Sequence, residues 1–283
     1  MLLLAGGFWM SPIDVQGIAG VPNYIQADFF EKRNNYCLLI PIINENGRII
    51  AELKRALEAG VSKIVDIAIC DGGSTDGSTE HNLLVSHGVR TLLVKTGAGK
   101  QGAQLRTGIH WGLTQGYNGI ITVDGNNKDS IEDVPLFIKK LEEGYDYVQG
   151  SRYVEGGNAI NTPLSRHLAV KLLHAPITSV TAGYRFTDTT NAFRAYSREY
   201  LEHPQVQPLR DVFVGYELLA YLSTRGARLR LKVCEIPVTR AYPIEGTIPT
   251  KINGLQGNAN LLSILFNNAF GKYNPPTEAT NGI

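Results

Sequence analysis

The sequence lacks long apolar runs, a strong charge of either sign, and cysteines at metal-ligand spacing. No stretch approaches the ~18 to 20 consecutive apolar residues of a membrane-spanning helix, so we expect a chain that does not cross a bilayer but can still lie on one. The formal net charge of +1 excludes general binding to nucleic acid, which relies on clustered Lys and Arg. Cys37, Cys70 and Cys234 stand singly in apolar runs, which indicates buried thiols in a reducing compartment.

What is present is the composition of a folded globular protein, with 43% apolar and 19% charged residues among 283. From about residue 36, short apolar runs alternate with helix-like segments, which is typical of a parallel sheet with helices on both faces. We therefore predict an α/β fold, built as a Rossmann-like, doubly wound, mostly parallel sheet. The predicted strands are Tyr36–Ile42, Lys63–Cys70, Arg90–Lys95, Gly119–Asp124 and Asp146–Gly150.

The helix-like segments between these strands end on glycines, as expected where a helix closes with a left-handed residue. The glycines are Gly60, Gly88, Gly116 and Gly144. After Gly150 the sequence predicts helices over Pro163–His174 and about Val212–Arg225, then a β-rich piece over Arg228–Arg240.

No repeat or linker divides the chain, so we predict one domain over residues 34–240, with a front half (34–150) and a back half (151–240). Residues 1–33 are predicted to form a disordered or loosely docked arm, and residues 241–283 an amphipathic segment followed by a loose tail. We expect the apolar residues of 251–270 to pack on the core, with a lipid headgroup layer as the alternative.

Polar, Gly-rich loops follow four consecutive predicted strands. In α/β folds ligands bind at the carboxyl ends of the strands, which is where these loops lie. Any one of them is also explained as a capped turn, because Gly, Ser, Thr and Asp are common in such turns. Their coincidence on consecutive strands favours a ligand site. The loops are residues 41–45, 70–78, 97–102 and 124–127.

The third loop has a second interpretation. Gly97-x-Gly99-x-x-Gly102 fits the dinucleotide fingerprint, and Asp124 follows at a suitable distance. Against a dehydrogenase, this unit is the third rather than the first, and Asp71 would be left without a role. A Walker A loop is excluded because Lys100 is followed by Gln rather than Ser or Thr.

Six motifs in one order carry a resemblance: CLLIPIINENG, IAICDGGSTDGS, GKQGAQLRTGI, IITVDGNN, VQGSRY and DTTNAFRAYSREYL. Over residues 36–240 the chain resembles family 2 glycosyltransferases, in particular the polyprenyl-phosphate sugar transferases similar to dolichyl-phosphate mannose synthase. The resemblance implies a GT-A fold, a nucleotide-sugar donor (UDP or GDP) bound by the front half, and Mg²⁺ or Mn²⁺. It also implies a lipid-phosphate or glycan acceptor on the back half, and a cytoplasmic protein that can contact the inner face of a membrane peripherally.

The resemblance also implies which residues bind the donor. Pro41, Asn44 and Glu45 match the loop around the base and ribose, and Asp71 matches the aspartate that hydrogen-bonds the nucleoside. The Gly-rich segment beside the nucleotide contributes Gly99, Lys100 and Arg106, and the metal motif contributes Asp124 and Asn126.

The metal motif departs from the family pattern, because Asn126 replaces the second acid of Asp-x-Asp and Lys128 stands where relatives often have Gln. A hard cation prefers carboxylates and water, so we expect weaker metal binding at Asp124 and Asn126. Lys128 would instead offset part of the charge of the diphosphate.

The reaction implied is inverting, with the nucleoside diphosphate leaving from the face opposite the attack. A lipid phosphate is already ionised and needs only positioning, for which Arg152 and Arg194 are guanidinium candidates. A sugar hydroxyl needs a base, for which we choose Asp188, although a loop-organising role explains that residue equally well. Ser165 and Arg166 fall where relatives place a pair near the acceptor phosphate.

Two other functions stay open at this point. A sugar nucleotidyltransferase would share the α/β front half, but its Gly-rich loop normally follows the first strand, where this chain has residues 41–45. A non-catalytic nucleotide-binding subunit of glycan assembly would retain the fold after losing the second metal acid.

Overall fold

The computed structural model describes residues 2–3, 9–13, 18–244 and 254–276. Its main feature is a ten-stranded mixed sheet in the order β1-β2-β3-β6-β5-β4-β7-β10-β8-β11, with a separate pair β12-β9. The strands are β1 Leu2–Leu3, β2 Trp9–Ile13, β3 Tyr24–Asp28, β4 Tyr36–Ile42, β5 Asp66–Asp71, β6 Val89–Lys95, β7 Gly119–Thr122, β8 Tyr147–Ser151, β9 Asn158–Ile160, β10 Arg194–Ser197, β11 Val233–Pro237 and β12 Thr239–Ala241.

Helices cover both faces of this sheet. One core cluster joins residues of β4 to α1 and α4, and the other joins β4 to α3 and α8, so Leu38 and Leu39 point to opposite faces and are both fully buried. The doubly wound α/β fold is thereby confirmed. The helices are α1 Gly47–Glu58, α2 His81–Ser86, α3 Gln101–Thr114, α4 Val134–Glu142, α5 Leu164–Ala169, α6 Ala175–Ala182, α7 Arg198–Glu202, α8 Glu217–Arg228 and α9 Gly254–Ala269.

The four central strands β6, β5, β4 and β7 are parallel and correspond to four of the predicted strands. Ile42 at the end of β4 lies opposite Asp71 at the end of β5, so the loops that follow both strands leave the same edge of the sheet. The four predicted helix-closing glycines all have positive φ, between 72° and 79°. This register is what brings the polar loops together.

Several of the described strands were not predicted, and two of them, β10 and β3, lie next to predicted strands of the sheet. Arg194–Ser197 (β10) runs antiparallel between β7 and β8, where a four-residue strand gives too short a pattern to recognise. Tyr24–Asp28 (β3) pairs antiparallel with β6, with Tyr24 and Ala27 buried. The expectation of a disordered or loosely docked arm is therefore wrong for this segment, because the predicted boundary at residue 34 cuts through the sheet. Residues 1, 4–8 and 14–17 of that arm lie outside the described residues.

Helix α9 packs partly on the core, as expected for the C-terminal segment, while Phe266 and Phe270 are 50% and 79% exposed. It lies against α6 and α8, buries Ile264, and its Asn268 amide donates to the carbonyl of Ala220 at 3.0 Å. The predicted tail from residue 277 onward lies outside the described residues. None of the helices described here is both long and apolar enough to cross a bilayer.

Candidate active site

The loops after β4 and β5 form one hydrogen-bonded unit. The buried Asp71 carboxylate accepts from the backbone N–H groups of Gly73 at 2.8 Å and Ser74 at 2.9 Å, and from the Ser74 hydroxyl at 2.5 Å. Asn44 joins the two loops, since its N–H donates to Ser74 Oγ at 2.9 Å and its Oδ1 accepts from Thr75 N–H at 2.8 Å. The edge is therefore held in one shape by its own polar groups.

Local backbone conformation explains why asparagine stands in this loop. Asn44 and Asn46 both have φ of 50°, a left-handed conformation that asparagine adopts more readily than most residues. Between them, Glu45 is buried and forms an ion pair with Arg48 at 2.9 Å. Pro41 lies buried within β4 opposite Cys70, so it shapes the strand end beneath this loop.

Gln104 is a site residue that sequence reasoning missed. Its side-chain amide donates to the carbonyls of Ile42 at 2.6 Å and Cys70 at 2.9 Å, which ties the ends of β4 and β5 to α3. A Cβ added at Gly72 would lie 2.9 Å from this amide, so the glycine allows the close approach. The GKQGAQLRTG motif contains Gln104, but only the register shows what its side chain reaches.

The Gly-rich loop before α3 is packed against residues 213–215. The N–H of Lys100 donates to the Val214 carbonyl at 2.9 Å, and a Cβ on Gly102 would lie 2.6 Å from the Gly215 carbonyl oxygen. Gly99 has φ of 106°. A dinucleotide fingerprint needs an open helix N-terminus for its pyrophosphate. Here a carbonyl occupies that position, which argues against the dehydrogenase interpretation.

Arg106 was expected beside the nucleotide, and the structure places it elsewhere. Its guanidinium is 3% exposed and donates to the carbonyl of Gly20 at 2.6 Å and to Asp211 at 2.7 Å. Arg106 therefore joins the segment before β3 to the loop before α8. The Lys100 side chain, in contrast, is exposed.

Asp124 follows β7 and lies among polar partners. Its Oδ1 accepts from the Gln101 amide at 3.1 Å, and its Oδ2 accepts from Arg240 at 3.2 Å and from the Asn126 amide at 3.4 Å. Asn126 Oδ1 is buried and has no hydrogen-bond partner among the described residues. The predicted pair is thus brought together, with one amide oxygen left over.

Arg240, on β12, was not predicted to belong to the site. Its guanidinium bridges Asp124 and the fully buried Asp129. Lys128 is 5% exposed and its Nζ lies 5.1 Å from the centre of the Tyr242 ring. Burial, reinforced by the Arg240 cation, lowers the pKa of Lys128 to about 8. Two cations therefore stand beside the predicted metal motif.

The donor set fits a hard divalent cation poorly. Across the part of the chain that the structure describes, no three His, Cys, Asp or Glu side chains come together as a metal site. Asp124 offers a carboxylate already bonded to a guanidinium, and Asn126 offers one neutral oxygen. Mg²⁺ beside a nucleotide is commonly held by one or two carboxylates together with phosphates and water, so it is the Arg240 guanidinium on Asp124 and the neutral amide at Asn126 that disfavour a metal here.

Asp188 and Arg152 form a buried ion pair. Arg152 Nε and Nη2 donate to the two carboxylate oxygens at 2.6 and 2.9 Å, and Thr190 adds two more donors to Asp188. Burial acts to raise the pKa of Asp188, but the Arg152 guanidinium outweighs it and holds that pKa below its ordinary value. The hypothesis of Asp188 as a general base is therefore corrected, because its carboxylate is fully buried and committed to Arg152; the alternative of a loop-organising acid fits.

Arg194 is also corrected as an acceptor-binding guanidinium. It is 2% exposed, and its donors reach the carbonyls of Leu219 at 2.6 Å, Thr189 at 2.8 Å and Asn191 at 3.0 Å. These contacts fasten β10 to α8 inside the core. Arg166 instead lies near the site, where its Nη1 is 3.3 Å from the Tyr242 hydroxyl.

Comparison with protein families decides the identity. The model of glycosyl transferase family 2 matches residues 37–203, which is more than half of the chain. The chain belongs to glycosyl transferase family 2. This family 2 glycosyltransferase is 28% identical over 204 residues to an undecaprenyl-phosphate mannosyltransferase of Micrococcus luteus, covering 71% of this chain and 81% of that protein. It is 27% identical over 205 residues to a polyprenol monophosphomannose synthase of Mycolicibacterium smegmatis, covering 71% and 76%.

Solved structures agree on the fold. The glycosyltransferase superimposes on glucosyl-3-phosphoglycerate synthase of Mycobacterium tuberculosis, in complex with Mn²⁺, UDP and glucosyl-3-phosphoglycerate, with a TM-score of 0.57 at 15% identity, covering 83% of this chain and 80% of that one. The complex of the same enzyme with phosphoglyceric acid gives a TM-score of 0.59, also at 15% identity and with the same coverage. At this identity the likeness shows the GT-A fold alone. The predicted fold, family and class of enzyme are confirmed.

Proposed function

We propose that this glycosyltransferase moves a hexose, with inversion, from a nucleoside-diphosphate sugar to a polyprenyl phosphate. The observation that carries the choice of acceptor is the Arg152–Asp188 pair, because the carboxylate predicted as a base is sealed from the site edge. A sugar hydroxyl must lose a proton as it attacks, whereas a phosphate is already ionised at neutral pH. The two relatives named above as polyprenyl-phosphate and polyprenol transferases support the same acceptor.

The donor is assigned to the edge formed by the loops after β4, β5 and β7. Asp71, Asn44 and Glu45 are the candidates for the nucleoside, and Lys100 and Asp124 for the diphosphate side. The similar structure of glucosyl-3-phosphoglycerate synthase holds UDP together with Mn²⁺, which supports a nucleotide donor for this fold. The nucleotide of the donor is UDP or GDP. Because the relatives include a mannosyltransferase and a monophosphomannose synthase, mannose is the first sugar to test.

The reaction balances without a protein base. An oxygen of the acceptor phosphate forms a bond to the anomeric carbon with its lone pair. The bond from that carbon to the β-phosphate oxygen breaks, and its electron pair leaves with the nucleoside diphosphate. No proton changes place, so the protein contributes position and charge rather than acid–base chemistry.

The surface beside Arg166 supports contact with a membrane. Three exposed leucines recur every four residues along α5 and the helical turn Val170–His174 that continues it. They are Leu164, Leu168 and Leu172, which are 72%, 46% and 67% exposed. Lys171 adds a cation suited to anionic headgroups. Together with the nucleotide-sugar donor, this surface supports a position at the inner, cytoplasmic face of a membrane.

The test is transfer of radiolabelled sugar from GDP-mannose, UDP-glucose and their homologues to a short-chain polyprenyl phosphate, with polyprenol and a free oligosaccharide as control acceptors. We expect product with the phosphate alone. Transfer to the oligosaccharide would contradict the acceptor assignment. Release of pyrophosphate from a nucleoside triphosphate would favour the nucleotidyltransferase, and nucleotide binding without transfer to any acceptor would favour the non-catalytic subunit.

Vesicle sedimentation tests the membrane surface. Leu168→Glu with Leu172→Glu should release the protein from vesicles containing anionic phosphatidylglycerol. Leu57→Glu is the matched control, because Leu57 is comparably exposed, at 42%, on α1. Equal binding of the double variant and the control would contradict this surface.

A further inference from the structure

The segment from Asp124 to Asp129 is held by a backbone connection to β12. Asp129 and Arg240 form an isolated antiparallel bridge, and the carbonyl of Lys128 accepts from Ala241 N–H at 2.8 Å. This connection fixes where the side chains of Lys128 and Arg240 start. Both are then buried, at 5% exposure each, so their positions are set by packing.

Cationic side chains already lie beside two carboxylates of this region. Asp124 and Asp129 carry the two negative charges, and Arg240 bridges both. Lys128 supplies the second positive charge beside them. A divalent cation placed at Asp124 would meet the guanidinium of Arg240, which already lies 3.2 Å from Asp124 Oδ2, and like charges at such distances repel strongly in a buried site.

The substitution at Asn126 points in the same direction. Its amide donates toward Asp124 Oδ2 at 3.4 Å, whereas a carboxylate there would repel Asp124 unless a cation lay between them. The chain has therefore lost the negative charge that calls for a metal and has cations at Lys128 and Arg240. Arg166 adds a further cation, 5.7 Å from the centre of the Tyr242 ring that Lys128 also contacts.

We propose that Lys128 and Arg240 supply the counter-charge for the donor diphosphate, so that nucleotide binding does not require a divalent cation. This inference rests on the proposed function, since it concerns the same donor. Fixed cations near the leaving oxygen stabilise the charge that develops there, as a metal would, and they need no reorganisation when the bond breaks. Of the two, Arg240 also positions Asp124 and Asp129, while the Lys128 ammonium lies 5.1 Å from the centre of the Tyr242 ring.

Calorimetric titration of the full chain with UDP and GDP, in EDTA and in Mn²⁺, tests the proposal. We expect the dissociation constant of the preferred nucleotide to change by no more than about threefold between the two conditions. A wild-type affinity that is weaker in EDTA by about tenfold or more would overturn it. Absence of binding of any nucleoside diphosphate or its sugar, in both conditions, would defeat the proposed function as well, which separates the two failures.

Variants locate the counter-charge. Lys128→Gln should weaken binding in EDTA about tenfold, because a charge-assisted contact to phosphate is lost. Lys139→Gln, an exposed lysine on α4, is the matched control and should bind like wild type. Arg240→Lys retains a charge in a residue whose removal threatens folding, and should bind within a few-fold of wild type. Equal affinity of Lys128→Gln and the control would overturn the assignment of Lys128.

Asn126→Asp provides the reverse experiment in an otherwise native chain. We expect the added carboxylate to weaken nucleotide binding in EDTA about tenfold and Mn²⁺ to restore it, since the new pair of acids now needs a cation. Thermal unfolding checks that the variant is folded. Affinity that ignores Mn²⁺ in both wild type and variant would support independence from metal but contradict Asn126 as its cause.

Discussion

The front and back halves of this glycosyltransferase use polar residues in opposite ways. At the front, Asp71 and Asn44 lie at the ends of parallel strands and bond to loops that leave the same edge. At the back, Arg194 lies in β10, and the Arg152–Asp188 pair joins the residue after β8 to the loop before β10. The charged groups of these residues are buried and bonded to other atoms of the protein. In this chain, position after a strand indicates a ligand site at the parallel pair β4 and β5, and a structural contact beside the antiparallel strand β10.

The antiparallel strand β10 explains the difference. It enters between β7 and β8 and needs the loop before it to be fastened to α8. Carbonyls in that irregular loop have no strand partners, and buried carbonyls must find donors. An arginine supplies several donors at once. Arg194, which the sequence suggests as a phosphate ligand, therefore acts here as a structural residue that bonds the loop before β10 to α8.

The largest expected effect is on stability, at the back. Arg194→Met removes a donor from the carbonyls of Thr189, Asn191 and Leu219, of which, among the described residues, only that of Leu219 keeps a side-chain donor, the Ser223 hydroxyl. We expect the free energy of unfolding to fall by about 3 to 5 kcal/mol. Urea unfolding followed by circular dichroism measures it. If the Arg194→Met protein kept its stability but lost activity, the structural role given to Arg194 would be contradicted, because Arg194 would then act on the substrate.

The next effect is on nucleotide binding, at the front. Asp71→Ala removes the acceptor for the Gly73 and Ser74 N–H groups, so the loop loses its shape and the nucleoside its expected partner. We expect a loss of about 2 to 3 kcal/mol, or roughly 30- to 150-fold in the dissociation constant. Calorimetry with UDP and GDP measures it, and Glu58→Ala on the exposed end of α1 serves as control. Unchanged affinity would remove Asp71 from the donor site.

A smaller effect concerns acid sensitivity. The folded pKa of Asp188 lies below its ordinary value of 3.8, so the pair contributes stability above that value and loses it as the pH falls through the folded pKa. Asp188→Asn should lower stability at pH 7 by about 1 to 3 kcal/mol and remove this part of the loss below about pH 4. Urea unfolding at pH 7, 5 and 3 compares the two proteins. Parallel pH profiles would contradict the direction given for Asp188.

The smallest expected effects distinguish Lys100, just before α3, from Arg106, on α3, by whether each contributes to nucleotide binding or to stability. Lys100→Met should weaken nucleotide binding several-fold, by about 1 kcal/mol, and leave stability within about 0.5 kcal/mol, because its side chain is exposed. Arg106→Met should do the reverse, since its guanidinium bonds Gly20 and Asp211. The opposite pattern in calorimetry and unfolding would restore Arg106 as a nucleotide ligand.

The central fold was predictable because its strands are buried on both faces and give continuous apolar runs, as in Tyr36–Ile42, which the structure reproduces at both ends. Local loop chemistry was equally visible, since Asp71 and Asn44 act within a few residues or on the adjacent strand. The contacts of Arg240 and Gln104 were not, because Gln104 reaches from α3 to the ends of β4 and β5, and Arg240 reaches from β12 to Asp124 after β7. Only the register of the sheet brings such partners together.

The strand β3 has a consequence for how the chain behaves when shortened. A chain begun at residue 34, where the sequence places the domain boundary, would keep β6 paired with β5 but would lack β3. The segment VRTLLVK would then have unpaired backbone groups along one side. A bare apolar edge of this kind is a template for pairing between copies. We therefore expect a chain that lacks Tyr24–Asp28 to self-associate more readily than the full chain.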